Sequence, residues 1–379
     1  MIKRKFYGEK GVTLIALIIT IIVLLILAGI AINALSGDNA LITKTKDAAE
    51  EWRVAEVDEE EVLNEIYAEI QKVSEEANLS TIASKVNNDN TGEIKIGDYV
   101  NYTPTPVVAL VNESPIVETV RTYSGAPSSS NSAEGTGGIK QVQGTKWRVL
   151  DKTANGEVRL ISDVPVSRVA LKGAKGYNNL VKVIDDVCKG LYDNKNFTSD
   201  VKNVKIEDIE EKMSVVPEVS STSIVSSGKY PKIWEQEIDA IINGVTQSGT
   251  LTRSKQENYI SEESVTITTP ITIKNTYWAK NFGASNNGQF KKDIYYSLFI
   301  KKENGTYYDY WLSSRCIATG SSANFREIHI DYEGRLSAYS LCGIDDYPEE
   351  RVNGLRPVIT LKSNVKVVDG NGTTGWNIK

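Results

Sequence analysis

Residues 11–35 read G-V-T-L-I-A-L-I-I-T-I-I-V-L-L-I-L-A-G-I-A-I-N-A-L, preceded by the leader Met1–Lys10. No side chain from Val12 to Leu35 carries a charge. At about 1.5 Å per helical residue the run is long enough to cross a hydrocarbon core of about 30 Å, which predicts a single transmembrane helix. A secretory signal peptide has an apolar region of only about 7–15 residues, so this run is too long to be one. The leader holds Lys3, Arg4, Lys5 and Lys10 against Glu9, and the chain beyond the run is acidic. That asymmetry keeps the leader cytoplasmic and places the body outside, giving an expected localisation of cell membrane, single-pass, with an extracytoplasmic head.

Gly11 stands at the junction of leader and apolar run, and Val12, Thr13, Leu14, Ile15 and Ala16 follow it. This order resembles the type IV prepilin signature. The resemblance implies that a prepilin peptidase cuts after Gly11 and that Val12 becomes the methylated amino terminus. It also implies that the helix joins other pilin-like subunits, giving a cell-surface filament. One position departs from the pattern: the family's usual glutamate at the fifth mature position is Ala16 here. Such a carboxylate is thought to pair with a neighbour's free amino terminus, since two charges in apolar surroundings need each other. Its absence points to a minor or atypical subunit. The alternative is a plain signal anchor, that is, a membrane-anchored extracytoplasmic binding or sensor protein that is neither processed nor polymerised.

The sequence divides into a leader (1–11), an assembly or transmembrane helix (12–35), an amphipathic helix (36–79) and a head (92–379). In the third segment Leu63, Ile66, Ile70, Val73 and Ala77 recur at three-and-four spacing, with Glu65 and Glu69 among the residues opposite. The expectation is a solvated acidic face and an apolar stripe packed on the head.

In the head, Ile94–Tyr102, Thr145–Leu150 and Gly156–Ile161 alternate as strands do, and Ser124–Gly138 (S-G-A-P-S-S-S-N-S-A-E-G-T-G-G) reads as an exposed loop. Leu180–Leu191 carries apolar residues at helical spacing, Asp208–Met213 suggests a second short helix, and Asp193–Asn203 reads as strand-poor. The segment Ser214–Lys274 is ambiguous apart from the strand-like Ser264–Lys274. The last hundred residues read as aromatic strands: Tyr295–Lys301, Thr306–Leu312, Phe325–Asp331, Arg335–Leu341 and Val352–Leu361. Strands, then helices, then strands predict an α+β fold with a mainly antiparallel sheet, following the long N-terminal helix.

Several motifs fall in this head: W-R-V-L at Trp147–Leu150, G-Y-N-N at Gly176–Asn179, V-C-K-G-L-Y at Val187–Tyr192, Y-W-L-S-S-R-C at Tyr310–Cys316 and G-L-R-P-V-I-T-L at Gly354–Leu361. Together they resemble a set of bacterial surface and phage-associated modules whose closing segment is similar to the sheet core of C-type-lectin-like domains. The same scaffold serves sugar binding, protein binding and oxidation, so the resemblance implies a fold and leaves the activity open. It implies structural roles for Trp311 and Arg315, and an unknown carbohydrate or protein ligand.

Most catalytic classes lack their residues. The chain has a single histidine and three widely spaced cysteines, with no C-x-x-C pair, G-x-S-x-G elbow or phosphate-binding G-x-x-x-x-G-K-[ST] loop. No catalytic residue, cofactor or metal is expected. With a formal net charge of −6, no nucleic-acid partner is expected either. Cys316 and Cys342 are a candidate disulfide in an extracytoplasmic domain, the other reading being buried reduced thiols. Cys188 reads as a small core residue. In F-R-E-I-H-I-D-Y the alternation puts Glu327, His329 and Asp331 on one face. If the isoleucine face is core, His329 and Asp331 look to solvent as candidate ligand contacts. Asp345 and Asp346 belong to an acidic loop with oxygen ligands suited to calcium, although the calcium-lectin motifs are missing; they too are candidate contacts.

Overall fold

The computed structural model describes residues 14–35, 62–74, 78–106, 121–123, 144–216, 222–232, 248–250, 253–274, 280–281, 289–303, 305–319, 323–342 and 350–379. The chain divides into two compact units, Met1–Asn78 and Leu79–Lys379.

In the first unit, helix α1 runs over Leu14–Leu35. The next described helix covers residues 62–74. The expected long N-terminal helix, transmembrane and then amphipathic, is therefore not shown. The side chains of α1 are described over residues 15–30, about 24 Å of helix against a hydrocarbon core of about 30 Å. Among the described residues no helix is long and apolar enough to cross a membrane, which corrects both the single-pass membrane localisation and the transmembrane part of the fold class. The apolar stripe of the second helix also differs from expectation. Leu63 and Val73 are exposed and Ile66 and Ile70 half-buried, so the stripe is not packed as a core face.

The second unit is built on two seven-stranded sheets. The strands of the first are β1 (Tyr99–Asn101), β3 (Trp147–Lys152), β4 (Val158–Ser162), β6 (Thr198–Asn203), β12 (Pro357–Leu361), β13 (Val367–Asn371) and β14 (Gly375–Ile378). Their order is β13-β14-β1-β3-β4-β12-β6, antiparallel throughout except for the parallel pair β1–β14. The second sheet comprises β2 (Arg121–Tyr123), β5 (Val166–Lys172), β7 (Lys280–Asn281), β8 (Tyr310–Thr319), β9 (Ala323–Ile330), β10 (Arg335–Cys342) and β11 (Glu350–Leu355), in the order β7-β10-β9-β8-β11-β5-β2. Two small sheets use strands between Thr222 and Lys274, within the segment whose sequence is ambiguous.

Helix α2 (Gly173–Tyr192) touches strands of both sheets, β6 and β12 of the first and β5, β8, β9 and β10 of the second. Its sequence explains the placement. Tyr177, Leu180, Val181, Ile184, Val187, Cys188 and Leu191 are buried, while Lys189 projects outward. The adjacent asparagines of G-Y-N-N are buried because each has partners: Asn178 donates to the carbonyls of Glu262 and Glu263, and Asn179 both donates to the Ile260 carbonyl and accepts from its N–H. They fasten the 260–263 segment to the helix.

Three sequence expectations change. Tyr295–Lys301 lies largely in helix α3 (Asp293–Phe299), with Tyr295, Leu298 and Phe299 buried at helical spacing. The strand-poor stretch contains β6. Val352–Leu361 is two strands, β11 and β12, in different sheets. The crossing is fixed by Arg356, the single residue between them. Its buried guanidinium donates to the carbonyls of Ser162, Asp163, Leu298 and Phe299, and lies 5.1 Å over the Tyr310 ring.

Candidate binding cleft

The residues singled out from sequence do not assemble into an open site. Gly11, Val12, Asp345 and Asp346 lie outside the described residues. His329 and Asp331 are described, but they face inward. His329 is 2% exposed and Glu327 fully buried, while Ile328 and Ile330 on the other face of β9 are buried as well. The alternation was that of a strand covered on both sides, so the solvent-facing reading is corrected. His329 Nδ1 lies 2.9 Å from Glu327 Oε2 and its ring stacks on Tyr339 at 4.8 Å. Asp331 accepts the backbone N–H groups of Glu333 and Arg335 and the Arg335 guanidinium, so it shapes the turn between β9 and β10.

Trp311 and Arg315 hold structural positions. The Trp311 indole donates to the Val169 carbonyl, and Arg315 donates to the Lys255 carbonyl and to Gln256. All three cysteines are buried and none is in a disulfide. Cys316 and Cys342 sit on β8 and β10, which flank β9. Two strand spacings of about 4.8 Å put them well beyond the roughly 4.4–6.8 Å between Cα atoms that a disulfide needs. Burial raises the pKa of Cys188 and Cys316, keeping both as unreactive thiols. A thiol titration is expected to give almost no reaction in the native protein and three equivalents after denaturation; two missing equivalents that return on reduction would overturn this assignment.

A cavity lies elsewhere, in the first sheet, where β1 passes between β3 and the C-terminal hairpin β13–β14. Its volume is about 220 Å³. Tyr99, Asn101 and Thr103 come from the β1 strand and its exit, Lys146 and Trp147 from the start of β3, and Thr373 and Thr374 from the hairpin turn. The turn is held by Asn371, whose Oδ1 accepts both threonine N–H groups. The hairpin can close on β1 because Gly375, at φ +106°, has no side chain: a Cβ there would lie 2.3 Å from Asn101 Oδ1. Asn101 in turn donates to Asn377 Oδ1 and to the Gly375 carbonyl.

The wall chemistry is aromatic and hydroxyl-rich. Trp147 packs edge-on against Tyr102 at 5.3 Å and Tyr192 at 5.7 Å, and Tyr102 donates to the Tyr192 carbonyl. The Tyr99 ring has the Lys146 ammonium at 5.8 Å and the Arg148 guanidinium at 5.4 Å from its centre. Arg148 and Lys301 both pair with Asp163, two cations on one carboxylate, and Lys146 adds a further positive charge to the lining. Trp147 stands opposite Val100 in the β1–β3 ladder, so its buried indole lies on the core face, away from Tyr99 and Asn101, and among the described residues its Nε1 has no hydrogen-bond partner.

No protein-family model, curated protein or solved structure matches this chain. The cleft was missed in the sequence because its walls come from segments up to 275 residues apart, from Tyr99 to Thr374. The only local signal is the spacing of Tyr99 and Asn101, which puts both on one face of a strand.

Proposed function

We propose that this chain is an atypical or minor type IV pilin-like subunit that carries a binding or adhesion unit. The observation behind this reading is the surface of α1. Ile15 is 71% exposed and Leu25 67%, and Leu17, Ile18, Ile21, Leu24 and Leu27 are exposed too, so the helix offers apolar side chains in every direction. A helix of that kind needs apolar cover on all sides, and like helices of neighbouring subunits supply it. The order of basic leader, Gly11 and uncharged run supports the same reading. Ala16 favours a minor subunit, since the buried carboxylate expected of a bulk fibre subunit is missing. Binding is favoured over catalysis because the single histidine is buried against Glu327 and the buried thiols are unreactive.

The test is the mass of the mature chain in cells with an active prepilin peptidase. The expected product lacks residues 1–11 and begins at methylated Val12. Replacing Gly11 with phenylalanine is expected to abolish cleavage, because the peptidase reads that position. An intact Met1 in the unmodified chain, or unchanged processing of Gly11→Phe, refutes the reading.

A further inference from the structure

The face of the β1–β3 ladder that carries Tyr99 and Asn101 also carries Lys146 and Arg148, and the turn of the C-terminal hairpin lines the same cavity. We infer that this face is an oxyanion subsite that takes one phosphate group, as the free ion or at the end of an ester. The inference rests on the reading of the Leu79–Lys379 unit as a binding unit and names the ligand class.

Strand geometry gathers the cations. Tyr99 stands directly opposite Arg148 in the ladder, and Lys146, two residues before Arg148, belongs to the same side. Both therefore reach the Tyr99 ring, the guanidinium at 5.4 Å and the ammonium at 5.8 Å from its centre. Lys301, from the chain just after α3, brings a third positive charge to Asp163 at 2.8 Å. Three cations thus share one carboxylate, which leaves an excess of two positive charges. A phosphate monoester carries roughly −1.5 to −2 at neutral pH and matches that excess, whereas a single carboxylate ligand would meet only half of it.

The state of the donors points the same way. The Arg148 side chain is only 14% accessible, and the Gly97 carbonyl fixes its Nε at 2.7 Å. Its closest approach to Asp163 is 3.6 Å, too long for a hydrogen bond, so among the described residues both terminal nitrogens keep their donors uncommitted. Lys146 is exposed, and among the described residues its ammonium makes neither a hydrogen bond nor an ion pair. A guanidinium anchored at Nε with its fork free is preorganised for the two parallel hydrogen bonds of an Arg–phosphate pair. Lys146 supplies a second, movable charge, and the Thr373 and Thr374 hydroxyls in the cavity wall can donate to the remaining oxygens. The volume of about 220 Å³ lies below the roughly 300–1,000 Å³ of pockets for drug-sized ligands, so it suits one small group. The site opens to water, so affinity for a lone phosphate is expected in the millimolar range and is expected to fall as salt is raised.

The experiment titrates the nitrogen-15-labelled full chain at low ionic strength with sodium phosphate, methyl phosphate, dimethyl phosphate and acetate, following the backbone amide signals of Tyr99, Lys146 and Thr374. Saturable shifts with phosphate and methyl phosphate are expected, with dimethyl phosphate and acetate about fivefold weaker because each carries one charge. Lys146→Gln removes an exposed charge that holds nothing in the fold, and it is expected to weaken methyl phosphate about fivefold. Arg148→Lys keeps the charge and loses the fork, and a similar loss is expected. Lys255→Gln, at an exposed pair elsewhere, is expected to change nothing. No saturable shift with phosphate or methyl phosphate at tens of millimolar overturns the inference. So does acetate binding as tightly as phosphate, or binding that survives undiminished in Lys146→Gln. Vesicles of phosphatidylcholine with and without phosphatidic acid separate the sources once phosphate binds. Extra sedimentation with phosphatidic acid that Lys146→Gln removes assigns a lipid headgroup, and equal sedimentation assigns soluble phosphates. If phosphate fails while the chain is still cut after Gly11, the ligand class falls and the pilin-like reading stands. If cleavage fails while phosphate binds, the reverse holds.

Discussion

Arg356→Met is expected to destabilise the Leu79–Lys379 unit by about 3–5 kcal/mol, since several buried carbonyls lose their donor at about 1–3 kcal/mol each. The guanidinium is fully buried, and among the described residues no carboxylate forms an ion pair with it. It is held instead by backbone carbonyls: both Nε and one terminal nitrogen reach Ser162, the same nitrogen reaches Asp163 and Leu298, and the other lies 2.7 Å from the Phe299 carbonyl. Those carbonyls end β4 and α3, two elements that do not meet through a regular ladder. Methionine fills similar volume and supplies no donors. Phe299 would keep the Tyr310 hydroxyl as a partner at 2.8 Å, whereas the Ser162, Asp163 and Leu298 carbonyls would lose theirs. Arg356→Lys keeps the charge without the planar fork, so it is expected to recover only part of the loss. Removing the exposed Lys255–Glu257 pair, with side chains more than 70% accessible, is expected to change little. Urea denaturation of the four proteins checks the order. A loss below about 1 kcal/mol for Arg356→Met would show that these carbonyls find other partners.

Arg356 also marks the limit of what the sequence could show. The apolar alternation of Val352–Leu361 reads as one strand because nothing local says that the chain changes sheets at residue 356. Pro357, which lacks an N–H and so suits the first position of a strand, was the available hint. The strands at Trp147 and Val158 were legible because their alternation faces one core. Helix α3 was not, since D-I-Y-Y-S-L-F is rich in aromatic strand formers while its buried positions, Tyr295, Leu298 and Phe299, keep helical spacing. His329 was placed on the correct face of β9 with Glu327, but alternation cannot report that both faces of a central strand are covered. The order of strands hid the separation of Cys316 and Cys342 in the same way, as strand order is a long-range property.

Raising the pH from 5 to 8 is expected to lower the stability of the same unit, and Asp185→Asn is expected to remove much of that fall. Asp185 lies on α2 where the helix meets β6 and β8. Burial pushes its carboxyl up to about 7 from an ordinary value of 3.8, against the opposing hydrogen bonds from the Ser313 hydroxyl and the Asn203 N–H and the charge of Lys202. The folded protein thus keeps this proton up to about pH 7, while the unfolded chain has released it above about pH 4. Between those limits the folded state binds more protons, so stability falls as pH rises, and the effect levels off below and above the window. A shift of about three units corresponds to at most about 4 kcal/mol. The side chain is partly accessible, so one to two kcal/mol is the expected size after solvent screening. Asparagine keeps an oxygen to accept from Ser313 and from the Asn203 N–H, and it does not titrate. Thermal midpoints across pH 4–9 for the two proteins separate this effect from the background of other carboxylates, which both share. Parallel curves would mean that Asp185 ionises without cost and that its surroundings admit water freely.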